Sequence, residues 1–271
     1  MKLSKFMAVF LAAICCLVFV NSSQAKETVT IRGSHALYWT LKDYIPTIEK
    51  AADITMDFSK AGGCGDAKKA VKSKQASGAI CCPFTDEELA GLGATQHPLA
   101  LGTLMILVNK DNPIDNLTAA QTRDIFAGKI TNWSEVGGEN KPIAVLARHH
   151  CGPHSVPWKT IIPAEQWVKK RIKIDNTVAM LKTVAAMKNS IGHLDVTLYD
   201  PAKVKALKID GVSPIDKTAF ADGYPFFEVI SIITPGEPTA GQQRLIDYLR
   251  TEKTRPMYEA RHLTMGTRLA P

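Results

Sequence analysis

Cysteine and histidine side chains gather in loops that follow predicted strands, and they are the residues best able to do chemistry in this sequence. The loop cysteines are Cys64, Cys81, Cys82 and Cys151, and the loop histidines are His35, His149, His150 and His154. Thiolate and imidazole are soft or borderline donors, which suit Zn, Cu(I) or a thiophilic species such as trivalent arsenic. The composition therefore predicts a soft metal ion or metalloid as ligand. The predicted metal ligands are Cys64, Cys82, Cys151 and His150.

The same loops carry groups that bind anions. Three of them follow predicted strands and precede predicted helices, and a fourth begins at Arg148. Loops of this kind direct backbone N–H groups and a helix N-terminus at a ligand, which favours negative charge. Arg148 adds a planar guanidinium that can make bidentate bonds to an oxyanion. The predicted ligand-binding residues are Ser34, His35, Gly63, Cys64, Gly65, Cys81, Cys82, Arg148, Cys151, Gly152 and His154.

Alternating strand and helix patterns position these loops. The predicted strands of the first part of the chain are residues 28–32, 54–58 and 78–82, and the predicted helices are residues 36–51 and 66–74. Pro46 should kink or interrupt the first helix, because proline cannot donate the hydrogen bond that a helix interior needs. Two near-continuous apolar runs, residues 103–109 and 226–234, suit buried strands that cross between lobes. This alternation of strands and helices along the chain predicts an α/β fold whose mostly parallel sheets are flanked by helices.

Helix boundaries are marked by their capping residues. Thr85 and Thr118 each stand three residues before a glutamate or glutamine, which is the capping-box spacing, and Gly128 should end the second of these helices. A well-periodic helix at residues 177–188 is predicted to face Val178, Leu181, Val184 and Ala185 inward.

The first 25 residues are predicted to be a cleavable signal peptide. Lys2 and Lys5 form a basic start, residues 6–20 are apolar, and Ser23 and Ala25 give a small-x-small cleavage site. The apolar run is too short for a comfortable membrane span of about 20 residues. We therefore expect an exported, periplasmic protein. Removal of Lys2 and Lys5 with the signal peptide lowers the formal net charge from +7 to +5, which indicates a basic surface. No cluster of Lys and Arg interleaves with aromatic residues, so nucleic acid is not an expected partner.

Two other interpretations of the cysteines stay open at this point. Exported proteins usually keep cysteines as disulfides, and four cysteines allow three pairings, of which Cys64 with Cys81 or Cys82, or with Cys151, are the less strained. A catalytic cysteine is the other alternative, since Cys151 lies beside His150, although neighbours in sequence seldom supply such a pair. His97, His193 and His262 are interpreted as ordinary core or surface histidines.

A longer motif brings a family resemblance. Residues 124–138 read DIFAGKITNWSEVGG and are followed by an apolar strand that ends at Arg148. This motif resembles the signature of the PstS-like periplasmic phosphate-binding proteins, which are two-lobed receptors that feed ABC importers, and the resemblance extends along residues 27–271. It implies a type 2 periplasmic-binding fold, a monomer without enzymatic activity, and importer membrane subunits or a sensor kinase as partners. The family's arginine corresponds to Arg148.

The sequence differs from that family where the ligand is held. The family carries Ser or Thr hydroxyls in these loops, whereas this chain has Gly63-Cys64-Gly65, then Cys81-Cys82, and Cys151 or Gly152 after Arg148. No clear counterpart is found for the carboxylate with which some relatives accept a proton from phosphate. The favoured hypothesis is therefore a receptor for a small thiophilic metal or metalloid species. Phosphate or another oxyanion is the first alternative, and a thiol-based redox sensor or small exported enzyme is the second.

The resemblance also predicts how the chain is divided. Residues 27–103 and 223–271 should form one lobe and residues 104–222 the other, with the ligand held between them by hinge closure.

Overall fold

The computed structural model describes residues 25–58, 62–81, 84–148 and 168–266. The helices of this part are α1 (His35–Leu41), α2 (Ile45–Ala52), α3 (Cys64–Lys72), α4 (Asp86–Leu92), α5 (Ala119–Ala127), α6 (Thr177–Ala186), α7 (Ala240–Leu249) and α8 (Arg255–Glu259). The strands are β1 (Glu27–Gly33), β2 (Ile54–Asp57), β3 (Ser77–Ile80), β4 (Thr95–Asn109), β5 (Asn116–Leu117), β6 (Ala144–Arg148), β7 (Ile172–Ile174), β8 (Ser190–Asp195), β9 (Val204–Ala206), β10 (Lys208–Ile209), β11 (Phe227–Thr234) and β12 (Thr264–Met265). Among the described helices, none is long and apolar enough to cross a membrane.

The strands form one continuous hydrogen-bonded path with helices on its faces. Its order is β2-β1-β3-β11-β4-β8-β6-β7, and β9 and β12 both add to β4. Both ends of the path are parallel: β1 pairs with β2 and β3, and β6 pairs with β7 and β8. The long central strands β4 and β11 are antiparallel. The alternation of strands and helices predicts these parallel ends, because a helix that connects two strands lets the second strand run in the same direction as the first.

β4 changes partners along its length. Its residues 95–103 pair with β11, whereas residues 104–108 pair with β8. The change of partner from β11 to β8 occurs between residues 103 and 104, which is the lobe boundary predicted from the sequence. The assignment of residues 27–103 and 223–271 to one lobe and 104–222 to the other stays a prediction.

The first helical segment is interrupted, as its proline indicates. α1 and α2 are separated by a 3-10 turn at Lys42–Tyr44, and Pro46 lies in the first turn of α2. Proline is tolerated there because the first N–H groups of a helix have no partner within the helix. The predicted helix at residues 36–51 is therefore two shorter helices that follow each other closely.

Helices cover both faces of the first parallel end. On one face Leu37, Ile48 and Leu245 belong to the largest buried apolar cluster together with Ile31 of β1. On the other face α3 packs on β1 and β3, and its Ala67 lies in a second buried cluster. An arrangement with helices on both sides of a sheet leaves the loops at the strand ends as the accessible polar edge.

The two predicted capping boxes are present. The Thr118 hydroxyl accepts a hydrogen bond from the backbone N–H of Gln121 at 3.0 Å, and the Gln121 side chain accepts one from the N–H of Thr118 at 2.8 Å. Thr85 and Glu88 make the same reciprocal pair. Gly128 ends α5 with φ of +77°, the left-handed conformation that glycine adopts without steric cost. These helix starts were predictable because the signal is local.

The prediction for Val178 is wrong. α6 buries Thr177, Met180 and Val184, whereas Val178 is 47% exposed. The helix presents the residues spaced three and four apart from Met180 to the sheet, and Val178 lies off that stripe.

His97, a buried residue of β4, gives an expected pH dependence of stability. Its Nε2 lies 2.9 Å from the Thr234 hydroxyl, which itself donates to the carbonyl of Gly236. Burial lowers the pKa of His97 below its ordinary value of 6.5, nearby Arg250 lowers it further, and Glu237 opposes both. The unfolded chain therefore binds a proton more readily than the folded protein, so this contribution is complete above about pH 6.5 and is lost as pH falls toward the lowered pKa.

We expect the urea midpoint of the wild-type protein to fall more steeply between pH 7.5 and about 5 than that of His97→Gln. Equal slopes for the two proteins would show that His97 does not carry this pH dependence.

Candidate ligand-binding site

One small cavity collects most of the predicted ligand residues that the structure describes. It is lined by Ser34, His35, Ala36, Gly62, Gly63, Cys64, Cys81, Arg148 and Asp195. Its volume is about 10 Å³, the room of roughly one water molecule. Larger cavities lie elsewhere, of about 120 Å³ around Trp133 and about 160 Å³ around Ile215. The smaller cavity is the stronger candidate, because polar groups from several strand ends converge on it.

Ser34 supplies the hydroxyl of this cavity, called here the Ser34–Arg148 cavity. It follows β1 directly, is 2% exposed, and its backbone N–H donates to the carbonyl of Ala79 at 2.8 Å. Serine at a helix start usually caps the helix, but the Ser34 side chain makes no capping bond to α1. Within the described residues the Ser34 hydroxyl oxygen has no hydrogen-bond partner. A buried hydroxyl without a hydrogen bond destabilises the folded protein unless a ligand or a water molecule bonds to it.

Gly33 sets the direction in which Ser34 leaves β1. Its φ is +115°, and a Cβ atom at this position would lie 2.4 Å from the carbonyl oxygen of Ala79 and 2.7 Å from the Cβ of Ala67. Only glycine fits such a close approach between a strand end and a crossing helix. Gly33 therefore fixes the Ser34 hydroxyl at the cavity.

Two thiols form the wall next to Ser34. Cys64 is the first residue of α3 and Cys81 follows β3, and their sulfur atoms lie 3.7 Å apart. Cys81 is 7% exposed and Cys64 is half-buried. The loop before α3 is tied to the β1 end by a bridge between Ser34 and Gly62, so the hydroxyl and the thiols share one wall.

The start of α3 is a weaker anion site than the glycines suggest. The Asp66 carboxylate accepts a hydrogen bond from the N–H of Gly63 at 3.1 Å and so already occupies part of the positive helix end. Gly65 does not line the cavity, and a Cβ atom there would meet nothing within 4 Å. Close backbone approach is therefore not the reason for glycine at position 65.

Arg148 and Asp195 form the opposite wall. They are the last residues of β6 and β8, two adjacent parallel strands, and are 7% and 5% exposed. The Thr197 hydroxyl donates to the Asp195 carboxylate, and the backbone N–H of Arg148 donates to Nε2 of buried His193 at 3.4 Å. The wall thus offers both a cation and an anion to a solute.

Asp195 is a cavity residue that the sequence interpretation missed. The sequence places Asp195 at the end of the strand that follows helix α6, but it does not show that this strand lies beside β6, and only neighbouring parallel strands bring their carboxyl ends to one edge of the sheet. His193 lies on the same strand and contacts the Arg148 backbone, so it does more than fill the core.

Several predicted residues lie outside the described part of the chain. These are Cys82, His150, Cys151, Gly152 and His154. Of the four predicted metal ligands only Cys64 is described, and within the described residues no group of three or more His, Cys, Asp or Glu side chains could hold a metal ion. The metal site of the sequence analysis therefore stays a prediction.

The comparison with family models decides the superfamily. A model of the PBP superfamily domain matches residues 20–253. The chain belongs to the PBP superfamily. Within it the PstS-like resemblance is confirmed, since the phosphate-binding protein PstS of Bacillus subtilis is 28% identical over 246 residues, which cover 86% of this chain and 78% of the relative. PstS 2 of Streptococcus pneumoniae is 35% identical over 89 residues, which cover 32% of this chain and 28% of that protein.

Two solved structures share the fold of this chain. A protein from Clostridium perfringens, described as a phosphate ABC transporter substrate-binding protein with bound phosphate, superposes with a TM-score of 0.80 at 23% identity and covers 89% of this chain and 100% of its own. A phosphate transport receptor from Vibrio cholerae gives 0.69 at 19% identity, with the same coverage. These similarities confirm the predicted α/β periplasmic-binding-protein fold.

Proposed function

We propose that this chain is the solute receptor of an ABC importer and that it binds a small inorganic oxyanion in the Ser34–Arg148 cavity. The observation that carries the proposal is the buried Ser34 hydroxyl, which makes no hydrogen bond within the described residues. It lies in one cavity with a buried arginine, and a solute oxyanion would accept hydrogen bonds both from the Ser34 hydroxyl and from the Arg148 guanidinium. The named relatives bind phosphate, which makes phosphate the first solute to test.

Asp195 favours an oxyanion that carries a proton. The guanidinium of Arg148 and the hydroxyl of Ser34 donate hydrogen bonds, whereas an ionised carboxylate only accepts them. Hydrogen phosphate has both an acceptor oxygen for the donors and an O–H for Asp195. A fully ionised anion such as sulfate would leave the carboxylate facing a like charge, so the cavity is expected to reject it.

The remaining parts of the proposal follow from family membership and the N-terminal sequence. The protein is exported to the periplasm through the signal peptide at residues 1–25, closes its two lobes around the solute by hinge motion, and delivers it to importer membrane subunits as a monomer. Binding is its whole activity, so no catalytic residue is assigned. A sensor kinase is the alternative partner.

A thiophilic ligand is the second candidate for the same receptor. The observation that favours it is the position of two thiols, Cys64 and Cys81, on the wall of the cavity. Elemental analysis of protein purified without chelator tests this candidate: a near-stoichiometric soft metal or metalloid supports it. A protein that carries only phosphate would exclude it.

Ser34→Ala tests the oxyanion proposal at the residue that carries it. We expect the dissociation constant for phosphate to rise roughly tenfold, because a hydrogen bond to a charged group contributes about 1.5 kcal/mol. Isothermal titration calorimetry measures the change. The matched control is Ser73→Ala, an exposed serine at the far end of α3, which should leave binding unchanged. Equal affinities of Ser34→Ala and wild type would place the solute elsewhere.

A further inference from the structure

Cys64 and Cys81 present their sulfurs at a separation suited to chelation. The two sulfur atoms lie 3.7 Å apart, although the residues come from different elements, the start of α3 and the turn after β3. Two thiolates bound to one tetrahedral zinc ion at about 2.3 Å from it are about 3.8 Å apart. Pyramidal trivalent arsenic has smaller bond angles and would draw its two sulfurs slightly closer together. A disulfide bond, by contrast, holds its sulfurs about 2.05 Å apart. The observed separation is that of a hydrogen bond between two thiols, and it leaves both sulfurs within reach of one central atom after a small shift.

Tight packing holds α3 in this position. Buried Ala67, one turn after Cys64, faces two glycines of the sheet, and a Cβ atom built on Gly33 or Gly78 would come within 2.7 or 3.0 Å of the Ala67 Cβ. Contacts this close leave the first turn of α3 little room to slide across the sheet, since protein interiors are close-packed. The chelating separation is therefore built into the scaffold.

The number of donors restricts the class of ligand. Within the described residues no group of three or more His, Cys, Asp or Glu side chains is placed to hold a metal ion, so the two sulfurs are considered as a pair. A suitable ligand has a central atom that bonds to both cysteine sulfurs and also carries an oxygen substituent. That oxygen would face Ser34 and Arg148, which line the same cavity. A trivalent metalloid hydroxide, of which arsenous acid is the simplest example, meets both conditions.

We propose that Cys64 and Cys81 form a dithiol clamp that binds a trivalent metalloid oxyacid, an assignment that rests on the proposed solute-binding role of the cavity. Arsenous acid condenses with the two thiols: two As–O bonds break and two As–S bonds form. Each thiol proton leaves with a hydroxyl as water, so two water molecules are released and one As–OH remains. Arsenic stays trivalent, and no oxidant or reductant is consumed. The remaining hydroxyl takes the place of an oxyanion oxygen beside Ser34 and Arg148.

The clamp and the metal site predicted from sequence share only Cys64, and the choice of the second cysteine can be tested. The prediction places Cys82 among the ligands, whereas the structure places Cys81 on the cavity wall with Cys64. Single substitutions separate the two assignments, since only a true clamp residue contributes to chelation.

The experiment loads the reduced full-length mature protein with sodium arsenite, removes the excess, and counts arsenic per chain by native mass spectrometry. Wild type and Cys82→Ser should retain one arsenic atom. Cys64→Ser and Cys81→Ser should each bind arsenite about 100-fold more weakly, because the second sulfur no longer acts at a high effective concentration. Cys81→Ala is a second variant that avoids a buried hydroxyl. Circular dichroism confirms that each variant is folded.

Three results would overturn the clamp: wild type without arsenic, retention by both Cys64→Ser and Cys81→Ser, or loss in Cys82→Ser with retention in Cys81→Ser. A disulfide between Cys64 and Cys81 that survives mild reductant would also overturn it.

Phosphate titration of the same proteins keeps this inference apart from the proposed function. If phosphate binding depends on Ser34 but the wild-type protein takes up no arsenic, the clamp proposal is wrong and the oxyanion proposal stands. Arsenic retention without phosphate binding defeats the oxyanion proposal and leaves the clamp standing. Arsenic-loaded protein should no longer bind phosphate, since both ligands need the same cavity.

Discussion

Arg148→Ala is expected to weaken phosphate binding by about 100-fold or more, which corresponds to roughly 3 kcal/mol. Arg148 is 7% exposed at the end of β6 and lines the same cavity as buried Asp195. Removal of the guanidinium takes away a charge-assisted, bidentate donor and leaves the Asp195 carboxylate opposite the incoming anion. Isothermal titration calorimetry with phosphate gives the change in affinity.

Two further variants separate charge from geometry. Arg148→Lys keeps the positive charge but not the planar fork, so an intermediate loss is expected. Arg123→Ala, an exposed arginine on α5, serves as the control and should bind phosphate as wild type does. A folded Arg148→Ala protein with wild-type affinity would remove Arg148 from the site.

Gly33→Ala is expected to destabilise the protein by about 2–4 kcal/mol, because alanine would face both a positive φ and two close neighbours. φ at Gly33 is +115°, and the new Cβ atom would lie 2.4 Å from the Ala79 carbonyl oxygen. Relief of the contact requires β1 or α3 to move, which would displace Ser34 and Cys64 together. Chemical denaturation measures the free energy of unfolding, and phosphate titration of the folded fraction should show weaker binding.

Gly65→Ala is the matched control for that substitution. It lies inside α3, and its added Cβ atom would meet nothing within 4 Å. Alanine in an exposed helix position should stabilise the protein by about 0.5–1 kcal/mol relative to glycine. The two changes are chemically identical, so opposite signs would show that the effect at Gly33 comes from its conformation and packing. Equal losses at both positions would contradict this account.

Local signals made much of the fold predictable. The capping boxes at Thr85 and Thr118, the end of α5 at Gly128 and the interruption near Pro46 each depend on a few neighbouring residues. The inward face of α6 was less predictable, and Val178 was placed on the wrong side, because several apolar residues of that helix compete for one narrow buried stripe.

The candidate site was predictable where its residues follow strands in the first part of the chain. Ser34, Cys64 and Cys81 come from three such turns, and the rule that ligands collect at strand ends was sufficient to group them. Asp195 was missed, because its place beside Arg148 depends on which strands are neighbours, and a single sequence does not show that β6 pairs with β8. The 3.7 Å separation of the two sulfurs is likewise a property of packing between α3 and the sheet.

A crystal structure of the protein grown with phosphate tests the central claim most directly. Phosphate is expected in the Ser34–Arg148 cavity, with one oxygen within hydrogen-bond distance of the Ser34 hydroxyl and others on the Arg148 guanidinium. The protonated oxygen is expected to face Asp195. Phosphate bound instead in the larger cavity around Trp133, with the Ser34 hydroxyl still without a solute partner, would contradict the central claim.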